Sequence, residues 1–160
     1  MKTAHALIAI CLFAGFMARA AAQPGLASTP NATGSRFAAI DIRIDPRGRP
    51  LAAYQFELKD ESEAATIVGV EGGEHAAFAA PPHYDPAALA GGRIIVAAYN
   101  TGDVLPALPT RVARIHVRIA EGRSPAFKIA LQAAGTTDGT SIEADIAIVE
   151  SDMANLDKRN

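Results

Sequence analysis

Carboxylate and imidazole side chains are concentrated in one segment, and such groups can bind metal ions. The five between positions 71 and 85 are Glu71, Glu74, His75, His83 and Asp85. Their spacing matches no established ligand motif, and the segment is predicted to be a loop. We therefore predict solvated loop residues and no metal site. Asp85 has a local role instead, because it can cap a short helical turn that begins with Pro86.

A second candidate site is a row of basic side chains at alternating positions, Arg114, His116 and Arg118. Alternation places them on one face of a strand, where they could bind an acidic partner or a sugar acid. The alternative is a solvated face on which they pair across strands with Glu143 and Asp145. Pairing is the simpler expectation, and recognition of a partner stays open.

Aromatic rings supply a third candidate, since exposed rings can stack against sugars. The chain has three tyrosines, Tyr54, Tyr84 and Tyr99, and no tryptophan. Tyr54 belongs to an inward-facing row, so Tyr84 is the tyrosine that we expect to be exposed. The predicted residues for binding a partner or a glycan are therefore Arg114, His116, Arg118 and Tyr84.

No pattern in the sequence indicates catalysis. No serine lies in a nucleophile-elbow context. Nothing indicates the paired carboxylates in a cleft that glycoside cleavage requires. We predict a protein that is not an enzyme and has no catalytic residues and no cofactor.

The elements that would position these groups are β-strands with one apolar face. Residues 51–59 alternate, with Tyr54, Phe56 and Leu58 on one side and polar residues on the other. The isoleucines at positions 40, 42 and 44 alternate with charged residues in the same way. These two strands could pair as a hairpin or lie in facing sheets. A β-branched run at residues 66–70 predicts the next strand.

Later segments continue this pattern. Residues 93–100 are largely apolar, which predicts a strand covered on both faces. Residues 111–119 alternate, with Val112 outward and four residues inward: Ala113, Ile115, Val117 and Ile119. Residues 126–132 and 142–148 add two more rows. Seven to nine strands predict an all-β fold, an antiparallel β-sandwich of jelly-roll or immunoglobulin-like type.

Residues 1–22 have the pattern of a secretory signal peptide. Lys2 supplies the charged start, residues 6–17 are apolar, and cleavage is predicted after Ala20 or Ala22. The only cysteine, Cys11, lies in this segment. The remaining divisions are a flexible lead-in at residues 23–36, the domain at 37–150 and a polar tail at 151–160. The predicted location is therefore secreted, either extracellular or periplasmic.

The charge of the chain gives no reason to expect a nucleic-acid or membrane partner. Removal of residues 1–22 would leave 13 basic and 17 acidic residues, which changes the formal net charge from −2 to −4. No later apolar run is long enough for a transmembrane helix. Because the exported domain would contain no cysteine, its apolar core must hold it together.

The order of the strand motifs resembles that of the cohesin modules. An aromatic strand with Tyr54, Phe56 and Leu58 precedes an acidic turn and a strand that ends in a glycine corner at Gly73. Two later segments, residues 93–99 and 110–117, resemble core strands of that family. The resemblance extends over residues 37–149. The family usually has a Tyr-Asp-Pro sequence just after the aromatic strand, whereas this chain has one later, at residues 84–86.

The resemblance implies a nine-stranded jelly roll with a non-catalytic role outside the cytoplasm. Its partner would be a dockerin-type protein module, in assemblies that degrade polysaccharides or lie at the cell surface. Direct polysaccharide binding by the same sandwich is the alternative. A structural surface domain with no dedicated ligand is a third interpretation.

Overall fold

The computed structural model describes residues 34–150; the expected signal peptide, the polar tail and most of the expected lead-in lie outside them. These residues form eight strands: β1 Ser35–Asp45, β2 Ala53–Asp60, β3 Ala65–Gly72, β4 His83–Tyr84, β5 Arg93–Tyr99, β6 Thr110–Ala120, β7 Phe127–Gly135 and β8 Asp145–Glu150. Two short 3-10 helices, Ala76–Phe78 and Pro86–Ala88, lie on either side of β4. The prediction of an all-β fold is confirmed, and β1 begins inside the segment expected to be a lead-in.

The strands form two antiparallel sheets of four strands each. Sheet A has the order β3-β6-β1-β8, and sheet B has the order β4-β5-β2-β7. The first strand pairs with the last, β2 with β7, β3 with β6, and β4 with β5. This nested pairing is that of a jelly roll and not of an immunoglobulin-like sandwich. The strands β1 and β2 therefore lie in facing sheets and do not form a hairpin.

The core lies between the two sheets. The residues predicted to point inward from β1 and β2 are all buried: Ile40, Ile42, Ile44, Tyr54, Phe56 and Leu58. Each such side chain contributes roughly 1.5–3 kcal/mol on burial. The inward residues of β7 and β8 are only half-buried against this cluster, because both are edge strands.

A buried hydrogen bond from Tyr54 connects the two sheets. The hydroxyl of Tyr54, in β2, donates to the carbonyl oxygen of Val112, in β6, over 2.9 Å. Its ring packs edge-on against Phe78, with ring centroids 5.1 Å apart. Burial raises the pKa of Tyr54, so the hydroxyl keeps its proton and remains a donor. The bond supplies the partner that a buried polar group needs.

The prediction that Val112 points outward is wrong. Val112 and Ala113 are both fully buried. The register of β6 against β1 explains this, because Ile42 pairs with Ala113 while Arg43 pairs with Arg111. Val112 is the extra residue of a β-bulge, which reverses the alternation at that point.

The prediction that β5 is covered on both faces is also wrong. Ile94 and Val96 are buried, but Ile95 between them is 38% exposed. In a two-layer sandwich an antiparallel strand has one core face, and its other face is turned to solvent. Alternate residues of β5 therefore form part of the outer face of sheet B.

Candidate functional site

Two of the predicted binding residues, Arg114 and His116, lie on the outer face of sheet A in ion pairs. Arg114 binds Asp41 of β1 through two hydrogen bonds of 2.7 and 3.0 Å. His116 lies 2.8 Å from Glu71 of β3. The hydrogen bonds from Arg114 hold the pKa of Asp41 below its usual range. Asp41 therefore neutralises Arg114 within the molecule, and Glu71 engages His116.

The predicted pairing of this row with Glu143 and Asp145 is wrong. Those two carboxylates bind Arg47 instead, at 3.3 and 2.8 Å. The strand order is the reason, because β6 lies between β3 and β1 and is separated from β8 by β1. Among residues 34–150, no hydrogen bond or ion pair engages the side chain of Arg118, which is exposed.

The prediction that Tyr84 is the exposed tyrosine is wrong. Tyr84 pairs with the buried Val96 in β5, so its ring is directed inward and packs half-buried against the core. Tyr99 is 71% exposed. Its ring stacks on His83, with ring centroids 6.0 Å apart and planes 14° from parallel. The exposed aromatic group of sheet B is thus Tyr99 with His83.

The five residues considered for a metal site are dispersed. His75 and Asp85 each accept a hydrogen bond from the backbone N–H two residues later and cap the two 3-10 helices, as predicted for Asp85. Glu74 binds Arg43 over 2.8 Å. Within residues 34–150, no group of three or more His, Cys, Asp or Glu side chains could hold a metal ion.

The outer face of sheet B is the candidate site. The outward residues of β2, β5 and β7 include four alanines, Ala53, Ala97, Ala130 and Ala133, together with longer polar side chains such as Glu57 and Arg93. Ile95 lies opposite Glu57 and two residues before Ala97, and its 38% exposure leaves it open to a partner. An exposed aliphatic side chain on an open sheet face can contribute to the apolar centre of a protein interface.

Two polar pairs lie across the strands of this face. Arg93 binds Glu57 through hydrogen bonds of 2.7 and 3.1 Å. Gln55 donates to Gln132 over 2.6 Å, and Gln132 donates to Glu57 over 3.2 Å. The hydrogen bond from Arg93 lowers the pKa of Glu57, so this carboxylate stays ionised and paired. The described face therefore offers fixed hydrogen-bonding groups beside an apolar centre.

Comparison with known proteins identified no relative of this chain. Scans against family models, curated proteins and solved structures each found no match for this chain.

The described part of the chain contains no helix with the length and apolar character needed to cross a membrane.

Sequence reasoning missed Ile95 and Tyr99 as surface residues. The signal that could have found them is their spacing, because both lie an odd number of positions from the buried Ile94 and Val96.

Proposed function

We propose that this protein is an exported, non-catalytic binding module that holds a partner protein on the outer face of sheet B. The observation that carries the proposal is the exposed Ile95 of that face, which lies between Arg93 and Ala97 along β5. The resemblance to cohesin modules also implies a jelly roll, although with nine strands, where residues 34–150 form eight. By that resemblance the partner is a dockerin-type module. The signal-peptide pattern of residues 1–22 supports export.

The two faces of the sandwich differ in what they offer a partner. On sheet A, Asp41, Glu71 and Glu74 already bind Arg114, His116 and Arg43, so a partner would have to compete with these ion pairs. On sheet B, Ile95 lies opposite Glu57, and the ion pair of Glu57 with Arg93 can be covered together with Ile95 without being broken.

The size of the face limits the kind of complex. The seven residues of β5 give a length of about 24 Å, and three strand spacings give a width of roughly 14 Å. The resulting plane of roughly 340 Å² is below the ~800 Å² that each partner buries in a standard interface. The partner therefore also contacts loops, and the loop after β5 exposes Val104 and Leu108.

Replacing Ile95 with arginine should weaken partner binding at least tenfold. A charged side chain at the centre of the interface must be desolvated without a matching partner, and ~1.4 kcal/mol already corresponds to tenfold in affinity. The test is a pull-down with the tagged mature protein against secreted proteins from the same source. The retained protein is then identified, purified and titrated by calorimetry.

The matched control is Val149→Arg. Val149 is β-branched, 44% exposed and on the outer face of sheet A, and this variant should bind within twofold of the unmodified protein. Equal losses for the two variants, or a loss for Val149→Arg alone, would place the interface elsewhere. If the unmodified protein retains no specific partner, protein docking is wrong.

A further inference from the structure

A shallow groove of about 370 Å³ crosses one end of the outer face of sheet B. Ala53, Gln55 and Ala97 contribute to its lining on the sheet. The paired rings of His83 and Tyr99 line it too, together with the loop that follows β7. This volume lies at the lower end of the range for small-ligand sites.

The aromatic part of the lining is solvent-exposed and held in place. Tyr99 is 71% exposed, and its stacking on His83 fixes the ring without burying it. No hydrogen bond among the described residues engages the Tyr99 hydroxyl. A tyrosine in this setting presents an apolar ring together with a polar tip.

The loop after β7 forms a rigid part of the lining. Thr136 donates its backbone N–H to the carbonyl oxygen of Thr140 over 3.0 Å, and its hydroxyl donates to Asp138. Gly139 has φ +82°, a conformation that glycine adopts without strain. Ser141 is exposed, and its hydroxyl has no hydrogen-bond partner among the described residues. A preorganised loop of this kind loses little entropy when it binds a ligand.

The charge of the lining selects the class of ligand. No Lys, Arg, Asp or Glu side chain lines the groove, in contrast to the ion-paired outer face of sheet A. An anionic or cationic ligand would therefore find no countercharge here. The groove instead combines an aromatic ring with the amide of Gln55 and the hydroxyl of Ser141.

We propose that this groove is a binding site for a neutral glycan. The C–H face of one sugar ring stacks on Tyr99, and its hydroxyls exchange hydrogen bonds with Gln55 and Ser141. The site does not depend on protein docking, because Ile95 is not part of the groove lining. In this site Tyr99 and His83 contact the glycan, and Tyr84, the tyrosine predicted from the sequence, does not.

The test uses the full mature protein and named probes. Affinity electrophoresis in gels that contain a soluble β-glucan, xylan, galactomannan or polygalacturonate gives the retention of each variant. At least one of the three neutral polysaccharides should retard the unmodified protein. Tyr99→Ala should lose retention at least tenfold and His83→Ala should lose less, with unchanged circular dichroism spectra.

The control variants separate this site from the other surfaces. Phe37 is 66% exposed on sheet A, and Phe37→Ala should be retained like the unmodified protein. Ile95→Arg should also be retained, which distinguishes a failure of this site from a failure of protein docking. Retention on polygalacturonate alone, no retention on any neutral polysaccharide, or full retention of Tyr99→Ala would each overturn the proposal.

Discussion

Replacing Phe56 with alanine is expected to lower the free energy of unfolding by about 3–5 kcal/mol. Phe56 is fully buried at the centre of sheet B. It pairs with Val96 on one side and Leu131 on the other, and its ring lies 6.0 Å from that of Tyr54. Neighbours on two adjoining strands cannot all move in to fill the space, so the substitution leaves a cavity.

Urea unfolding followed by circular dichroism measures this loss. With a slope of about 1–3 kcal/mol per molar urea, the midpoint should fall by more than 1 M at an unchanged slope. Glu57→Ala is the control, because Glu57 is the next residue but lies on the outer face in an ion pair with Arg93. Its midpoint should stay close to that of the unmodified protein. Equal shifts for the two variants would mean that the assigned strand register is wrong.

Asp60 is a buried carboxylate that joins two loops at the end of the sandwich opposite Tyr99. It is 3% exposed. One oxygen accepts from the N–H of Ala64 and of Ala65, each at 2.7 Å. The other accepts from the Ser62 hydroxyl at 2.7 Å and the Ala126 N–H at 2.8 Å. Hydrogen bonds to a charged group are among the stronger ones in proteins.

Asp60→Asn should therefore lower the free energy of unfolding at pH 7 by about 2–4 kcal/mol. Asparagine has nearly the same shape, but its NH₂ group would face N–H donors and the negative charge would be lost. Urea midpoints at pH 7 measure the effect. Asp103→Asn, at an exposed position of the loop after β5, should leave the midpoint unchanged. If Asp60→Asn also leaves it unchanged, the carboxylate does not hold the loops together.

The stabilisation from Asp60 should also depend on pH. Burial alone would raise its pKa, but the hydrogen bonds from Ser62, Ala126 and Ala65 prevail and lower it to about 2. An unfolded aspartate has a pKa of about 3.9, so the stabilisation is complete above that pH and is lost as the pH falls toward 2. The shift corresponds to roughly 2–3 kcal/mol. The unmodified protein should lose its advantage over Asp60→Asn between pH 4 and pH 2.

The sequence predicted the core correctly because a strand with one apolar face has apolar and polar residues at alternate positions. The rows in β1 and β2 have polar residues between the apolar ones, so their inward positions were correct. Residues 93–100 lack polar residues at alternate positions, so β5 was wrongly expected to be covered on both faces. Because of that error, the exposure of Ile95 and Tyr99 was not predicted. The direction of the Val112 side chain was wrongly predicted for another reason. Its β-bulge depends on the register of β6 against β1, which the sequence alone does not show.

The partners of the basic row could not be predicted because a sequence does not state which strands lie side by side. Arg114 and His116 pair with β1 and β3 only because β6 lies between them. Asp60 lies where the acidic turn after the aromatic strand begins, and its burial was not predicted. The serine two residues later was a usable signal, since aspartate commonly bonds to backbone at that spacing.

Chemical-shift mapping by NMR tests most directly which surface of the protein binds the partner. The ¹⁵N-labelled mature protein is titrated with the partner that the unmodified protein retains. The proposal predicts that the largest shifts fall on the outer face of sheet B, at Glu57, Arg93 and Ile95. Shifts concentrated at Arg114, His116 and Arg118, with sheet B unchanged, would contradict it.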